Sequence, residues 1–435
     1  MEHYSQAAPV AKANDASGEA RSNGSNAGPL VIVTILFFMW GLLTSLNDVL
    51  IPHLKAVYTL NYVQAMLVQF CFFGAYFIVS LPAGMLIKRI GYQHGAVAGL
   101  TIAAAGCALF YPAATSGYTL FLIAFFVLAG GITILQVAAN PYVAVLGDAR
   151  NASSRLTLTQ AFNSLGTTVA PTLGGMLILA GGVMSAADLA RLPADQLAAY
   201  HATQAASVQG PYLALAAALL ALAVLFALAK LPRIADVEGG EAGGWGELFK
   251  HTHLVMGVAC IFLYVGGEVS IGSFLINFMG EPHIAGLAAA DAAHFVSYYW
   301  GGAMVGRFIG FAVMRTVSPG KALAFNAAAV IVLVLTAIIG QGSVAMWALL
   351  AVGLFNSIMF PTIFSMALNR MGKQTGQASG LLCMAIVGGA LVPFVQGALA
   401  DTIGLQHSFI VPAVCYTYIL YYGVKYAGMY TEKTA

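Results

Sequence analysis

The sequence predicts an all-α polytopic membrane protein: twelve transmembrane helices in two six-helix halves, with both termini cytoplasmic. Three observations carry that prediction. Hydrophobic residues make up 60% of the 435 and charged residues 8%, against roughly 25% charged in soluble proteins. So few charges cannot cover a folded surface in water, which excludes a soluble enzyme, a nucleic-acid binder and a disordered scaffold. The apolar residues fall in long continuous runs, and the basic residues fall between alternate pairs of them. The net charge of +2 carries no separate message.

A span needs about 20 apolar residues to cross about 30 Å of hydrocarbon. Such stretches occur at approximately 30–54, 62–86, 94–114, 118–146, 155–181, 209–231, 252–278, 290–316, 321–341, 343–370, 375–402 and 406–428. In lipid each must close its own backbone hydrogen bonds, so each is a helix. The short alternating segments of a membrane barrel are missing. With the N-terminus inside, all of the Lys and Arg but Lys55 and Arg191 lie on the cytoplasmic side, as the positive-inside rule requires.

Residues 1–29 are polar, rich in Ala, Ser, Asn and Gly, and contain acids. They read as a disordered cytoplasmic tail, because a signal peptide would need a charged start and a short apolar core. Residues 232–250 (PRIADVEGGEAGGWGELFK) have the highest charge and glycine density of any internal stretch. They read as a cytoplasmic linker between a bundle over 30–231 and another over 251–428, with a short tail over 429–435. Residues 35–41 are faintly echoed by 260–266, and Pro171 and Gly175 by Pro393 and Gly397, as parallel repeats would be. Paired glycines at 130–131, 174–175, 301–302 and 388–389 permit close helix contact. The five cysteines all lie inside predicted spans without paired spacing and read as small buried hydrophobes.

Three charged residues lie well inside spans, and an ionisable group in lipid is costly enough to mark function: Asp48, Glu268 and, nearer the cytoplasmic face, Arg307. Pro52 cannot donate to the carbonyl of Asp48, four residues earlier. An acid beside a freed carbonyl suits a proton or cation site; a packing hydrogen bond to a neighbouring helix is the alternative. Glu268 follows two glycines and precedes Ser270, an arrangement suited to a polyol, to a second proton site, or to a structural partner for Arg307. Arg307 itself reads as a cytoplasmic gate or loop anchor.

Uncharged amides recur on the same faces. Gln136 and Asn140 are i,i+4, and Gln160 and Asn163 are i,i+3. Pro141 frees the carbonyl of Val137. Asn47, Gln69, Asn277 and Asn356 are single intramembrane amides. An amide both donates and accepts, which complements a sugar hydroxyl, although interhelical bonding uses the same groups. Trp40, Tyr298, Tyr299, Trp300 and Phe360 either stack on a pyranose face or pack at helix contacts and interfaces. No G-x-x-x-x-G-K-[ST] loop, H-E-x-x-H motif or Cys/His metal spacing is present. The residues are those of a binding and moving machine, with no nucleophile–base pair for an enzyme.

The turn at 84–91 (GMLIKRIG) resembles the signature loop of the major facilitator superfamily, with Lys88 at the usual Asp position and a looser copy at 310–315. The segments 46–48 (LND), 137–141 (VAANP) and 160–164 (QAFNS) resemble the fucose permease family of that superfamily. Its glucose/galactose branch is similar also at 70–77 (FCFFGAYF), 267–274 (GEVSIGSF) and 355–362 (FNSIMFPT). The resemblance implies twelve helices, alternating access and cation-coupled uptake of monosaccharides. It implies that Asp48 is the protonatable Asp of the first span, and that Gln160 and Asn163 contact sugar. Gln136 stands where the fucose permease has a Glu, and an amide takes up no proton. Asp48 then works alone, or Glu268 substitutes, or the ion is sodium.

The expected function is therefore import of a glucose- or galactose-type hexose by proton symport across the inner membrane. Asp48 and Glu268 are the coupling candidates. Asn47, Gln136, Asn140, Gln160, Asn163, Asn277, Asn356, Trp40 and Trp300 are the substrate candidates. Sodium coupling, or a substrate among N-acetylglucosamine, mannose and fucose, stands as the alternative; from other classes, a sugar-sensing receptor without flux or a membrane-embedded enzyme. No cofactor or metal is expected beyond the coupling ion. The expected partners are a small sugar and the lipid bilayer, with no nucleic acid, and the expected unit is a monomer.

Overall fold

A computed structural model describes residues 27–57, 62–177, 191–206, 208–229, 231, 245–287 and 289–429. Side chains are described within them except at 27, 45–57, 62–69, 171–177, 194, 198, 201, 204, 205, 245, 289, 290 and 293. Residues 1–26 of the expected first tail, 232–244 of the linker and 430–435 of the last tail lie outside the described residues.

All regular structure among the described residues is helical. The first half contains α1 (Ala27–Val57), α2 (Tyr62–Ser116), α3 (Tyr118–Val145), α4 (Ala152–Leu177), α5 (Ala194–Ala206) and α6 (Gln209–Leu228). The second contains α7 (Thr252–Gly280), α8 (Ala289–Val313), α9 (Pro319–Ile339), α10 (Gly342–Asn356), α11 (Met359–Ala367), α12 (Thr375–Met384), α13 (Gly388–Ile403) and α14 (Ile410–Lys425). Each of the twelve apolar stretches falls on one of these helices or on a consecutive pair. Among the described residues, seven helices are long and apolar enough to cross a membrane by length and composition.

The helices differ from the predicted stretches by a merger, by two interruptions and by one added helix. The second and third stretches run together as α2, bent at Gly91, whose φ of 80° and ψ of 168° need a residue without a Cβ. The tenth stretch breaks after Asn356 into α10 and α11, and the eleventh passes through a 3-10 turn at Ala385–Val387. The added helix is α5, which the apolar runs do not announce. In the linker, Trp245–Leu248 is a helical turn.

Within the first half α2 packs on α3 and α6, and α1 on α4; within the second, α7 packs on α13 and α14, α8 on α10, and α9 on α14. The halves meet along two seams, α2 against α12 and α4 against α8 and α11. Side chains from distant turns close helix ends. Arg155 donates to the carbonyls of Val143, Ala144 and Asp148 at 3.2, 2.8 and 2.7 Å, placing a cation at the negative end of α3. The neutral Gln93 Nε2 closes the end of α6 by donating to the Phe226 and Ala229 carbonyls at 2.6 and 2.7 Å. Large apolar side chains such as Phe77, Leu228, Phe325, Ile339 and Phe394 are exposed, as a lipid-facing surface requires. The five cysteines are free, and all but the half-buried Cys71 are buried.

Candidate functional site

The polar groups of the second half converge on the break between α10 and α11. Pro361 has no N–H, so the carbonyl of Ser357, four residues earlier, has no helical donor. The break also leaves the Asn356 carbonyl to a side chain. Both are used: Arg307 Nε donates to the Ser357 carbonyl at 3.1 Å, and the Tyr264 hydroxyl lies 3.1 Å from the Asn356 carbonyl. Tyr264 and Glu268 are one turn apart on α7, hence on one face, and the same hydroxyl lies 2.8 Å from Glu268 Oε1. Its single hydrogen is shared between a carboxylate and a carbonyl. Asn356 Nδ2 donates in turn to the Tyr299 hydroxyl at 2.9 Å. Tyr264, Tyr299 and Asn356 are fully buried, while Glu268 is half-buried. Close backbone approach makes this possible, since Gly353 lies against the Tyr299 carbonyl and Gly388 against that of Phe262.

Arg307 extends from this network into the first half. Its Nη1 donates to the Gln160 carbonyl at 3.2 Å and to the Ser164 hydroxyl. Among the described residues no carboxylate lies within ion-pair distance of Arg307; the ion pair found is His283 with Glu281, at 3.9 Å. Glu268 thus takes a tyrosine hydroxyl, not Arg307, as its direct partner.

The amides of the first half behave differently. Gln136 and Asn140 are buried on α3, and Gln136 Oε1 and both polar side-chain atoms of Asn140 have no protein partner. Gln160 is buried on α4. Asn163 shares its face in sequence but donates to the Phe37 carbonyl at 3.0 Å, tying α4 to α1.

Asp48 and Asn47 lie on α1, and their side chains fall outside the described residues, as does that of Gln69. Trp40 is buried against Phe37 with ring centroids 5.3 Å apart. Of the two readings given for it, packing at a helix contact describes this arrangement. Trp300 is exposed and edge-on to Tyr299 at 5.1 Å. Asn277 stands apart: nine residues beyond Glu268, about 14 Å along a helix, it lines a cleft of about 380 Å³ with Glu281, Pro282 and Leu405. Ser270 is fully buried without a partner; two residues from Glu268, it faces another way and adds no hydroxyl there. The hydroxyls of Tyr264 and Ser164 were not anticipated, although Tyr264 stands four residues before Glu268 and a search for i,i+4 partners would have found it. Among the described residues no three His, Cys, Asp or Glu side chains come together to hold a metal ion.

The halves are joined at the end that bears the basic turns. Ser153 and Ser365 share a hydrogen bond of 2.6 Å, Ser154 donates to the Phe311 carbonyl at 2.7 Å, and Ser379 donates to the Val137 carbonyl at 3.0 Å. These bonds hold the two halves together at that end.

The sequence matches the Major Facilitator Superfamily over residues 33–386. It is 57% identical over 408 residues to a glucose/galactose transporter of Brucella abortus biovar 1 (strain 9-941), covering 93% of this chain and 96% of that one. It is 35% identical over 400 residues to the L-fucose-proton symporter of Escherichia coli (strain K12), covering 90% and 91%. The crystal structure of FucP, a major facilitator transporter in the outward conformation, superposes with a TM-score of 0.86 at 34% identity, over 91% of this chain and 98% of that one. With its helical spans and these relatives, this chain is a multi-pass protein of the inner membrane and belongs to the major facilitator superfamily, in the branch of the glucose/galactose transporters and the fucose:proton symporters.

Proposed function

We propose that the protein imports a glucose- or galactose-type monosaccharide by symport with a proton. The observation that carries this reading is the placing of two unlike polar groups on either side of the junction that Arg307 spans. One is a carboxylate–tyrosine–amide network in the second half, the other a set of unpartnered amides in the first. The names of the relatives support the sugar class. The basic end faces the cytoplasm, and with the halves joined there we read this as the state that takes up sugar from outside.

In the cycle, Asp48 takes a proton from the periplasmic side and the amides take sugar. Both together favour closure of the outer gate, and the halves rock inward. Coupling requires that each ligand bind the doubly loaded state better than the singly loaded one. With Gln136 unable to titrate, Asp48 acts alone or with Glu268; a sodium ion is the second reading, favoured by the same amide. No cofactor enters, and the working unit is a monomer in the bilayer.

The test is radiolabelled glucose uptake into proteoliposomes under an imposed pH gradient and then under a sodium gradient. Galactose, N-acetylglucosamine, mannose and fucose serve as competitors. Accumulation driven by protons is the expected result. Accumulation driven by sodium alone assigns the cation to sodium. Exchange without accumulation under either gradient overturns symport, and binding without flux would leave a receptor.

A further inference from the structure

The junction at the basic end is made chiefly of serine hydroxyls; Arg307, the charged group that crosses it, donates to the Gln160 carbonyl and the Ser164 hydroxyl and pairs with no carboxylate among the described residues. Pro141 removes the donor that would otherwise satisfy the Val137 carbonyl within α3. A buried carbonyl must find another partner, and Ser379 of α12, fully buried in the other half, donates to it at 3.0 Å. Around this bond the helices touch by backbone. A Cβ added at Gly84 would lie 2.8 Å from the Gly376 carbonyl oxygen, and one at Gly380 2.7 Å from that of Ser80. The second seam repeats the chemistry, with the buried Ser153 and Ser365 at 2.6 Å and Ser154 on the Phe311 carbonyl at 2.7 Å. Among the described residues no ion pair joins the halves, although Lys88, Arg89, Arg315 and Lys373 all stand at this end.

We propose that the cytoplasm-closed state is latched by neutral serine hydroxyl bonds across the two seams, with Ser379 on the Val137 carbonyl as the principal one, in place of ion pairs. Each bond exists only while the halves touch, so each biases the closed state and none persists in the open one. Pro141 is the counterpart on α3: by leaving a carbonyl unpaired within its own half, it gives that half a reason to close on the other. The inference rests on the reading of a rocking transporter.

The test places spin labels at Arg89→Cys and Lys373→Cys, exposed positions on opposite halves, in the full chain with Cys71→Ser, reconstituted in liposomes. The distance distribution reports the closed-to-open ratio, and sugar uptake by the same labelled protein tests transport separately. Ser379→Ala and Ser153→Ala should each lower the ratio about fivefold, the loss expected for one neutral hydrogen bond. Raising salt from about 0.05 M to about 0.5 M, which shortens electrostatic reach several-fold, should leave the unsubstituted latch where it was. The proposal falls if Ser379→Ala leaves the ratio unchanged, or if salt opens the protein as it would an ion-paired seal. The salt series needs no change at the serines, so it decides even if an alanine variant fails to fold.

Discussion

At their candidate sites the two halves treat buried polarity differently. In the second half Glu268, Tyr264, Asn356 and Tyr299 are bonded to one another. In the first, the Asn140 side chain and the Gln136 carbonyl oxygen have no partner among the described residues. A bonded network fixes geometry, here with the Asn356 Oδ1 left over. An unsatisfied amide is costly to bury and gains most from an incoming hydroxyl. Under the proposed function, the contrast gives positioning to the Glu268 network and capture to Gln136 and Asn140.

Substitutions can break or sharpen that division. Asp48→Asn should have the largest effect: uphill accumulation falls to the equilibrium level while sugar counterflow survives, measured in proteoliposomes. If Glu268→Gln does this instead and Asp48→Asn does not, coupling belongs to the second half and the division is wrong. Next is Gly353→Ala, whose methyl would meet the Tyr299 carbonyl and drive α10 off α8. Overpacking of this kind costs about 1–3 kcal/mol, read as a lower melting temperature in detergent with Tyr299 and Asn356 displaced together.

The direct comparison is between the two asparagines. Asn356→Ala strands the Tyr299 hydroxyl and should cost about 2 kcal/mol of stability. Asn140→Ala removes no bond, so the melting temperature should hold while sugar affinity weakens about tenfold, as loss of a ligand hydrogen bond would give. Equal losses of stability in both variants would erase the contrast. Smallest is Tyr264→Phe, which leaves Glu268 in place without its hydroxyl donor; a rise in KM of about fivefold with little change in turnover is expected. An unchanged KM would remove Glu268 from the sugar site.

Hydropathy made the helices legible, because lipid imposes one rule on every span. It could not show the break after Asn356, where composition stays apolar and Pro361 is the lone signal. Spacing placed Gln160 with Asn163 correctly on one face, yet Asn163 is spent on the Phe37 carbonyl; a face is visible in sequence, a neighbour is not. Arg307 read as a gate or anchor near the cytoplasmic side, and it does bridge the halves, but its acceptors Gln160 and Ser164 lie some 140 residues away. The freed Val137 carbonyl followed from Pro141 alone. That Ser379, 242 residues further on, would answer it did not.

The glycine contacts between α2 and α12 have one more consequence, concerning rotamers. Ordering a long side chain at an interface forfeits up to about 2 kcal/mol of rotamer entropy, and ordering glycine or alanine forfeits almost none. Where Gly84 meets Gly376, and Gly380 meets Ser80, almost no rotamers are frozen on closing or released on opening. The two arrangements of the molecule can then lie close in free energy, and in the proposed cycle the modest binding energy of one sugar and one cation is enough to decide between them.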